Sequence, residues 1–385
     1  MRVWFALVWT LIFVSTINGS AQRTAADFVK QAQTKEQHKD YDGAIVSCNQ
    51  AIQLNPKDPK AYYSRGGAKF DKGDYGGAIA DCTKAIDLNP RYAEAYSGRG
   101  AARGKKGDYD GSIADSNQAI KLNPKDANAY SNRAAVEMNA ENYNASIADA
   151  NRAIQLSPGF ASAFNNRGGS KVGLGDFTGA IADFSQAIRN DPKDGSFYRN
   201  RALNYNCQSN YHAAIADYDR AIQINPQDAE AYKGRGATRE LQKDWARALT
   251  DYYRSGEVAQ TQETKDLVHL LIWVVRTRLG QPAVANQELS FYLGKRSRSW
   301  SAKAGAFLLG KIRESEFLSA TNSYDPHKIR VLQCKTWYYI GIKHFLAKET
   351  NVAKECFAKC LAMRPLAADE WVYAQGELRI LNASG

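Results

Sequence analysis

Residues that bind metals or carry redox chemistry are few in this sequence. Its 385 residues hold five histidines, six cysteines and three methionines. The histidines have no metal-ligand spacing. Cys356 and Cys360, four apart on one expected helix face, have no histidine pair nearby to complete a tetrahedron. No metal site and no cofactor are expected. Six cysteines in a chain this long do not make a dense disulfide framework. A hydrophobic run long enough for a bilayer is also missing. The apolar stretch over residues 3–14 is interrupted by Thr10 and falls short of the roughly 20 residues a span needs. With Arg2 before it and Asn18-Gly19-Ser20-Ala21 after it, the stretch reads as a signal peptide over residues 1–21, cleaved after Ala21. An uncleaved anchor is the other reading. The first cysteine is Cys48, which argues against a lipid-anchored form. Export to the periplasm or beyond the cell is therefore expected.

Enzyme signatures are lacking as well. There is no Gly-x-Ser-x-Gly elbow. The segment from Gly100 to Lys105 faintly resembles a phosphate loop. It has three residues between its glycines instead of four, and Lys106 stands where a hydroxyl would meet magnesium. The chain is not expected to be an enzyme. Its formal charge of +11 suits acidic partners or surfaces and is equally compatible with plain solubility.

What the sequence has in abundance is repetition. An aromatic residue recurs every 34 positions, at Tyr41, Tyr75, Tyr109, Tyr143, Phe177, Tyr211 and Trp245. Proline keeps the same step at Pro56, Pro90, Pro124, Pro158, Pro192 and Pro226. Seven units follow, at about residues 25–58, 59–92, 93–126, 127–160, 161–194, 195–228 and 229–262. Each reads as two helices. In the second unit the first runs over residues 61–72, Gly73-Asp74 makes the turn, and the second runs from Tyr75 to Leu88. Asn89-Pro90 ends it, because proline cannot continue the hydrogen-bond ladder. Small residues at Gly66, Gly100, Ala134, Gly168, Ala202 and Gly236, and at Ala51, Ala85, Ala119, Ala153, Ala187 and Ala221, mark close helix crossings. Cys48 and Cys82, at equivalent places in adjacent units, read as small core residues. One unit cannot bury its own apolar faces, so stacking must supply the core.

These columns resemble the tetratricopeptide repeat family over residues 24–262. The resemblance implies an all-α fold: an α-α superhelix whose inner face is lined by the first helix of each unit. Residues 263–325 read as a degenerate helical region, with helices at about 263–280, 281–293, 301–309 and 315–320. Residues 326–385 read as a repeat-like hairpin (331–347 and 352–363) and a capping helix over 367–381. Cys334, Cys356 and Cys360 fall close together in that hairpin. Cys334 and Cys360 are the best disulfide pair, because antiparallel helices bring the start of one near the end of the next. The tail, with Trp300, Phe307-Leu308-Leu309-Gly310 and Tyr338-Tyr339-Ile340-Gly341, resembles bacterial NlpI-like exported repeat proteins. That resemblance implies an envelope adaptor for cell-wall hydrolases or proteases. The chain departs from it in lacking a lipidation cysteine and in its longer array.

Three sets of residues are candidates for function. Arg65, Arg99, Arg133, Arg167, Arg201 and Arg235 form one column, and Asp81, Asp115, Asp149, Asp183, Asp217 and Asp251 another. The first unit has Gln31 and Ser47 at these places, so both charges are absent together. That favours an ion-pair ladder between helices over a basic stripe for a ligand. Asn132, Asn166 and Asn200, with Asn165 beside them, lie at a position that the family resemblance puts on the inner face. Such a row can bond an extended peptide's main chain, or it can merely solvate the groove. Tyr63, Asn128, Ser131, Arg199 and Lys233 complete the inner-face set, which turns basic toward its C-terminal end. No register completes the clamp with which some family members hold a C-terminal carboxylate. Finally, Lys295, Arg296, Arg298 and Lys303, with Trp300 among them, form a basic surface that is an ordinary solvated loop or, less in keeping with short basic runs, a site for an anionic glycan, a membrane surface or nucleic acid, the last disfavoured by export. The sequence thus points to an exported scaffold that takes a partner protein or an extended peptide in its groove. An envelope polysaccharide or peptidoglycan binder is the alternative. Nucleic acid is not expected as a partner, and membrane contact only through an uncleaved signal segment.

Overall fold

The computed structural model describes residues 23–294, 299–321, 326–363 and 369–383. The signal segment and Lys295, Arg296 and Arg298 lie outside the described residues. Among these there are 21 α-helices, one short 3-10 turn and no strand. Among the described residues no helix is long and apolar enough to cross a membrane. The chain forms two compact units, Met1–Val136 and Glu137–Gly385.

The first unit holds three helix hairpins: α1 (Ala25–Gln37) with α2 (Tyr41–Leu54), α3 (Pro59–Asp71) with α4 (Tyr75–Leu88), and α5 (Ala93–Lys105) with α6 (Tyr109–Leu122). Helix α7 (Ala127–Asn139) starts the fourth. The second helix of one hairpin packs on the first helix of the next, as α2 does on α3 and α4 on α5. The core is made of small side chains: Ala32, Ala44, Cys48 and Ala68 in one cluster, Ala85, Ile86 and Ala95 in another.

In the second unit α8 (Tyr143–Leu156) packs on α9 (Ala161–Gly173). Hairpins α9/α10 (Phe177–Asn190), α11 (Gly195–Cys207)/α12 (Tyr211–Ile224) and α13 (Ala229–Leu241)/α14 (Trp245–Val258) continue the pattern. Helix α15 (Gln262–Arg278) packs on α14 and on α16 (Pro282–Leu293). It is followed by α17 (Trp300–Leu308), α18 (Glu314–Leu318), the hairpin α19 (Pro326–Leu346)/α20 (Thr350–Met363) and the closing helix α21 (Asp369–Ala383). Helix α19 begins five residues ahead of the expected start, at a proline, which needs no intrahelical donor in the first turn. The core here is aromatic, with Trp273, Phe307, Phe317, Tyr338, Tyr339 and Phe357 in one cluster.

Turns repeat as regularly as helices. The residue that reverses the chain has positive φ in every hairpin: Lys39, Gly73, Gly107, Glu141, Gly175, Ser209, Lys243 and Lys348. An aspartate then caps the second helix. Asp40, Asp74, Asp108 and Asp176 accept from the amides of Gly43, Gly77, Gly111 and Gly179 at 2.8–3.0 Å. A Cβ at Gly43 would lie 2.1 Å from Asp40 Oδ2, so glycine lets the cap close. Where that residue is Ala213 or Arg247 the bond lengthens to 3.3 Å, and Asn142, facing Ala145, makes no side-chain cap.

Small residues answer large ones across several crossings. A Cβ on Gly168 would meet Phe184 at 2.8 Å, one on Gly236 would meet Tyr252 at 2.8 Å, and one on Gly341 would meet Phe357 at 2.6 Å. Opposite Gly66 stands the smaller Cys82, at 3.2 Å.

Candidate peptide-binding face

The arginine column is fully engaged inside the repeats. Arg65 donates from Nε and Nη2 to the two oxygens of Asp81 at 2.9 and 2.6 Å. Arg99 does the same to Asp115, Arg167 to Asp183, Arg201 to Asp217 and Arg235 to Asp251. The third guanidinium arm reaches back one unit, to Asn49, Thr83, Asn117, Asn151, Ser185 and Asp219 from Arg65, Arg99, Arg133, Arg167, Arg201 and Arg235. An aromatic ring three residues earlier lies under each guanidinium, as Tyr96 does under Arg99 at 5.5 Å. The sequence reading missed the 49–219 column. Its 34-residue step was visible, but Asn, Thr, Ser and Asp share only the ability to accept a hydrogen bond. Asp81, Asp115, Asp183 and Asp251 each take a second cation: Lys69, Arg103, Lys171 and Arg239. Hydrogen bonds donated to Asp81, Asp115 and Asp217 hold Arg65, Arg99 and Arg201, respectively, above the ordinary arginine pKa. Guanidinium groups so bound are not offered to a ligand.

The asparagines stitch neighbouring units along their first helices. In the first unit of the fold, Asn132 Nδ2 on α7 donates to Ser97 Oγ on α5 at 3.1 Å. In the second, Asn200 Nδ2 on α11 donates to Asn165 Oδ1 on α9 at 2.9 Å. Each amide keeps its orientation through that bond, with one further N–H and an oxygen to offer. Asn128 is exposed beside Asn132, whereas Ser131 and Asn166 are buried. Tyr63 packs between units: its ring lies 5.3 Å from that of Tyr92 and covers Gly98. Burial raises its hydroxyl pKa to about 12. Arg199 pairs with Asp228 and Lys233 with Glu230, so the basic end of the face is neutralised locally.

In the second unit this face is covered from within. Helix α21 packs on α11 and α13, the first helices of their hairpins, and its Trp371 ring lies 6.1 Å from that of Phe177 at the start of α10. Tyr373 closes a cavity of about 190 Å³ lined by Arg199, Asn200, Leu203, Tyr218, Glu230 and Gly234. Gly376 lets α21 approach Leu241, where a Cβ would meet Cδ2 at 2.3 Å. Arg379 donates to the Cys207 carbonyl at 2.8 Å and to Ser209 Oγ. Deeper down, Arg278 pairs with Glu377 at 2.7 Å and lies 3.7 Å from Glu240. Tyr252 donates to the other Glu240 oxygen at 2.8 Å. Two carboxylates share one guanidinium in a dry site, and burial raises the Glu240 pKa to about 7, against the pull of Arg278. The sequence reading did not pair these charges, because Glu240, Arg278 and Glu377 come from separate elements with no repeat spacing to link them.

Trp300 is part of the C-terminal core. Its Nε1 donates to Thr336 at 2.9 Å, and its ring lies against Phe317 and Tyr339. That ring is therefore not displayed for stacking on a glycan. Lys303 edges a separate cavity of about 490 Å³ with Leu293, Ala306, Leu309, Ile312 and Lys311. Among the described residues no group of three or more His, Cys, Asp or Glu is placed to hold a metal ion.

Four stretches, residues 37–71, 66–107, 105–139 and 204–243, match the family model of the TPR repeat. A tetratricopeptide repeat protein from Parabacteroides merdae superposes with a TM-score of 0.51 at 18% identity, covering 63% of this chain and 97% of that one. It shares the fold of stacked helix hairpins. A thermophilic TPR protein of Thermus thermophilus gives 0.42 at 19% identity, covering 45% and 95%. The pilF protein of Pseudomonas aeruginosa gives 0.46 at 17%, covering 55% and 97%. No curated protein matches this chain.

Proposed function

This chain is a tetratricopeptide-repeat protein, and on that premise we propose that it is an exported, non-catalytic scaffold holding an extended segment of a partner protein on the first helices of its repeats. The observation that carries this reading is the amide of Asn132, fixed by its hydrogen bond to Ser97 and four residues along the same helix from the exposed Asn128. Its remaining N–H and oxygen suit a peptide main chain, which offers one acceptor and one donor per residue and needs no particular sequence. The arginines, paired three ways, are taken up by the scaffold itself. The segment with signal-peptide character supports export, and the resemblance of the tail to envelope adaptors supports a partner among cell-envelope enzymes. The test is joint replacement of Asn132 and the exposed Asn128 by alanine, read by crosslinking in the native envelope and identification of the captured proteins. Loss of the captured partner with unfolding unchanged is the expected result. Unaltered capture would remove the asparagines from the binding surface.

A further inference from the structure

Three of the six cysteines fall within the hairpin under the closing helix: Cys334 on α19, and Cys356 and Cys360 on α20. Cys334 and Cys360 stand on facing sides of the two antiparallel helices, with their Sγ atoms 2.8 Å apart. Both side chains are 0% exposed. Cys356, one turn earlier on α20, is also buried (3% exposed). Cys48, Cys82 and Cys207 sit in three other hairpins. Of the six, then, one pair faces itself. Cys360 Sγ also lies 3.7 Å from the Glu370 carbonyl, which places the pair directly beneath the first turn of α21.

We propose that Cys334 and Cys360 are joined by a structural disulfide that ties α19 to α20 and so fixes the seat on which the closing helix packs. Formation needs a disulfide oxidant of the thiol-exchange class. One cysteine attacks it and forms a mixed disulfide, releasing one thiol. The second cysteine then attacks the sulfur of the first, forming the intramolecular bond and releasing the second thiol. Two protons and two electrons pass to the oxidant in all. Both sulfurs are out of solvent, and burial holds the Cys360 thiol well above its ordinary pKa, so little thiolate forms in the folded hairpin. The exchange therefore precedes closure of the hairpin, and the finished bond is shielded from thiol reductants. Only the presence of an oxidant rests on the export reading; the pairing does not.

The experiment uses the full chain, reduced and unfolded, then refolded with oxidised glutathione. Remaining thiols are alkylated after denaturation and the peptides mapped by mass spectrometry. The expected result is a Cys334–Cys360 cross-link two hydrogens lighter than the separate peptides, with Cys48, Cys82, Cys207 and Cys356 alkylated. Reduction of this form should lower its unfolding midpoint by several degrees. That loss should vanish in a Cys334→Ala/Cys360→Ala variant, which separates the bond from the packing of its sulfurs. Alkylation of both cysteines after oxidative refolding, or a cross-link through Cys356, would overturn the proposal. The same map on protein isolated from an exporting host tests the other reading. A bond that forms on refolding but is absent there counts against export and leaves the pairing standing.

Discussion

Asp115 shows how much a single carboxylate organises. It is 5% exposed and accepts from Arg99 twice and from Arg103 once. Asp115→Ala strands two guanidinium groups in a half-dry site and should cost about 3 kcal/mol in urea unfolding. Arg99→Ala combined with Asp115→Ala should cost clearly less than the two single changes summed. An additive result would mean that the pair is not coupled. Glu240 supplies a pH signature. In the unfolded chain its proton leaves near 4.5, and in the folded protein it is held until about 7. Between those values the folded state binds more protons, so stability falls as pH rises from 4.5 toward 7 and levels beyond. In full this amounts to ~3 kcal/mol. Chemical denaturation of Glu240→Gln across that window should lose the slope, and an unchanged slope would assign it to other groups. The arginine and aspartate columns were legible in the sequence because each keeps one residue type at one spacing. Glu240 was not, because a carboxyl's burial depends on elements far from it along the chain.

At the level of the element, helix starts and stops follow local chemistry. Capping aspartates and left-handed turn residues recur with the repeat, and their effects act within a few residues of chain. Lys243 holds φ 62° without being glycine. Lys243→Gly should therefore raise stability by roughly 0.5–1 kcal/mol, measured by urea denaturation, since glycine meets no Cβ penalty there. No gain would mean that the lysine side chain compensates through contacts of its own. Element existence was readable through the tail as well, where α16, α17, α18 and α20 fall within a few residues of the expected positions. Boundaries were less so: α19 starts earlier because proline is tolerated in a first turn.

For the whole molecule, the placement of α21 decides which surfaces of the repeats are left open. It occupies the face of α11 and α13 that the repeat pattern alone would leave to a ligand. Gly376→Leu should drive a side chain against Leu241 and lift the helix. Hydrogen exchange followed by mass spectrometry should then show faster exchange over residues 369–383, with α11 and α13 still protected. Unchanged exchange in the closing helix would mean that Leu241 yields instead. From the sequence alone came the all-helical class, the seven repeats with their register, the turns and the charge columns. All of these rest on interactions that recur at a constant spacing, each between a unit and its neighbour. Only the tertiary structure decided that the closing helix fills the inner face, that Trp300 is core, and that Glu240, Arg278 and Glu377 meet. Those contacts join residues as far as 99 or 172 positions apart, and nothing local determines where chain so distant will come to rest.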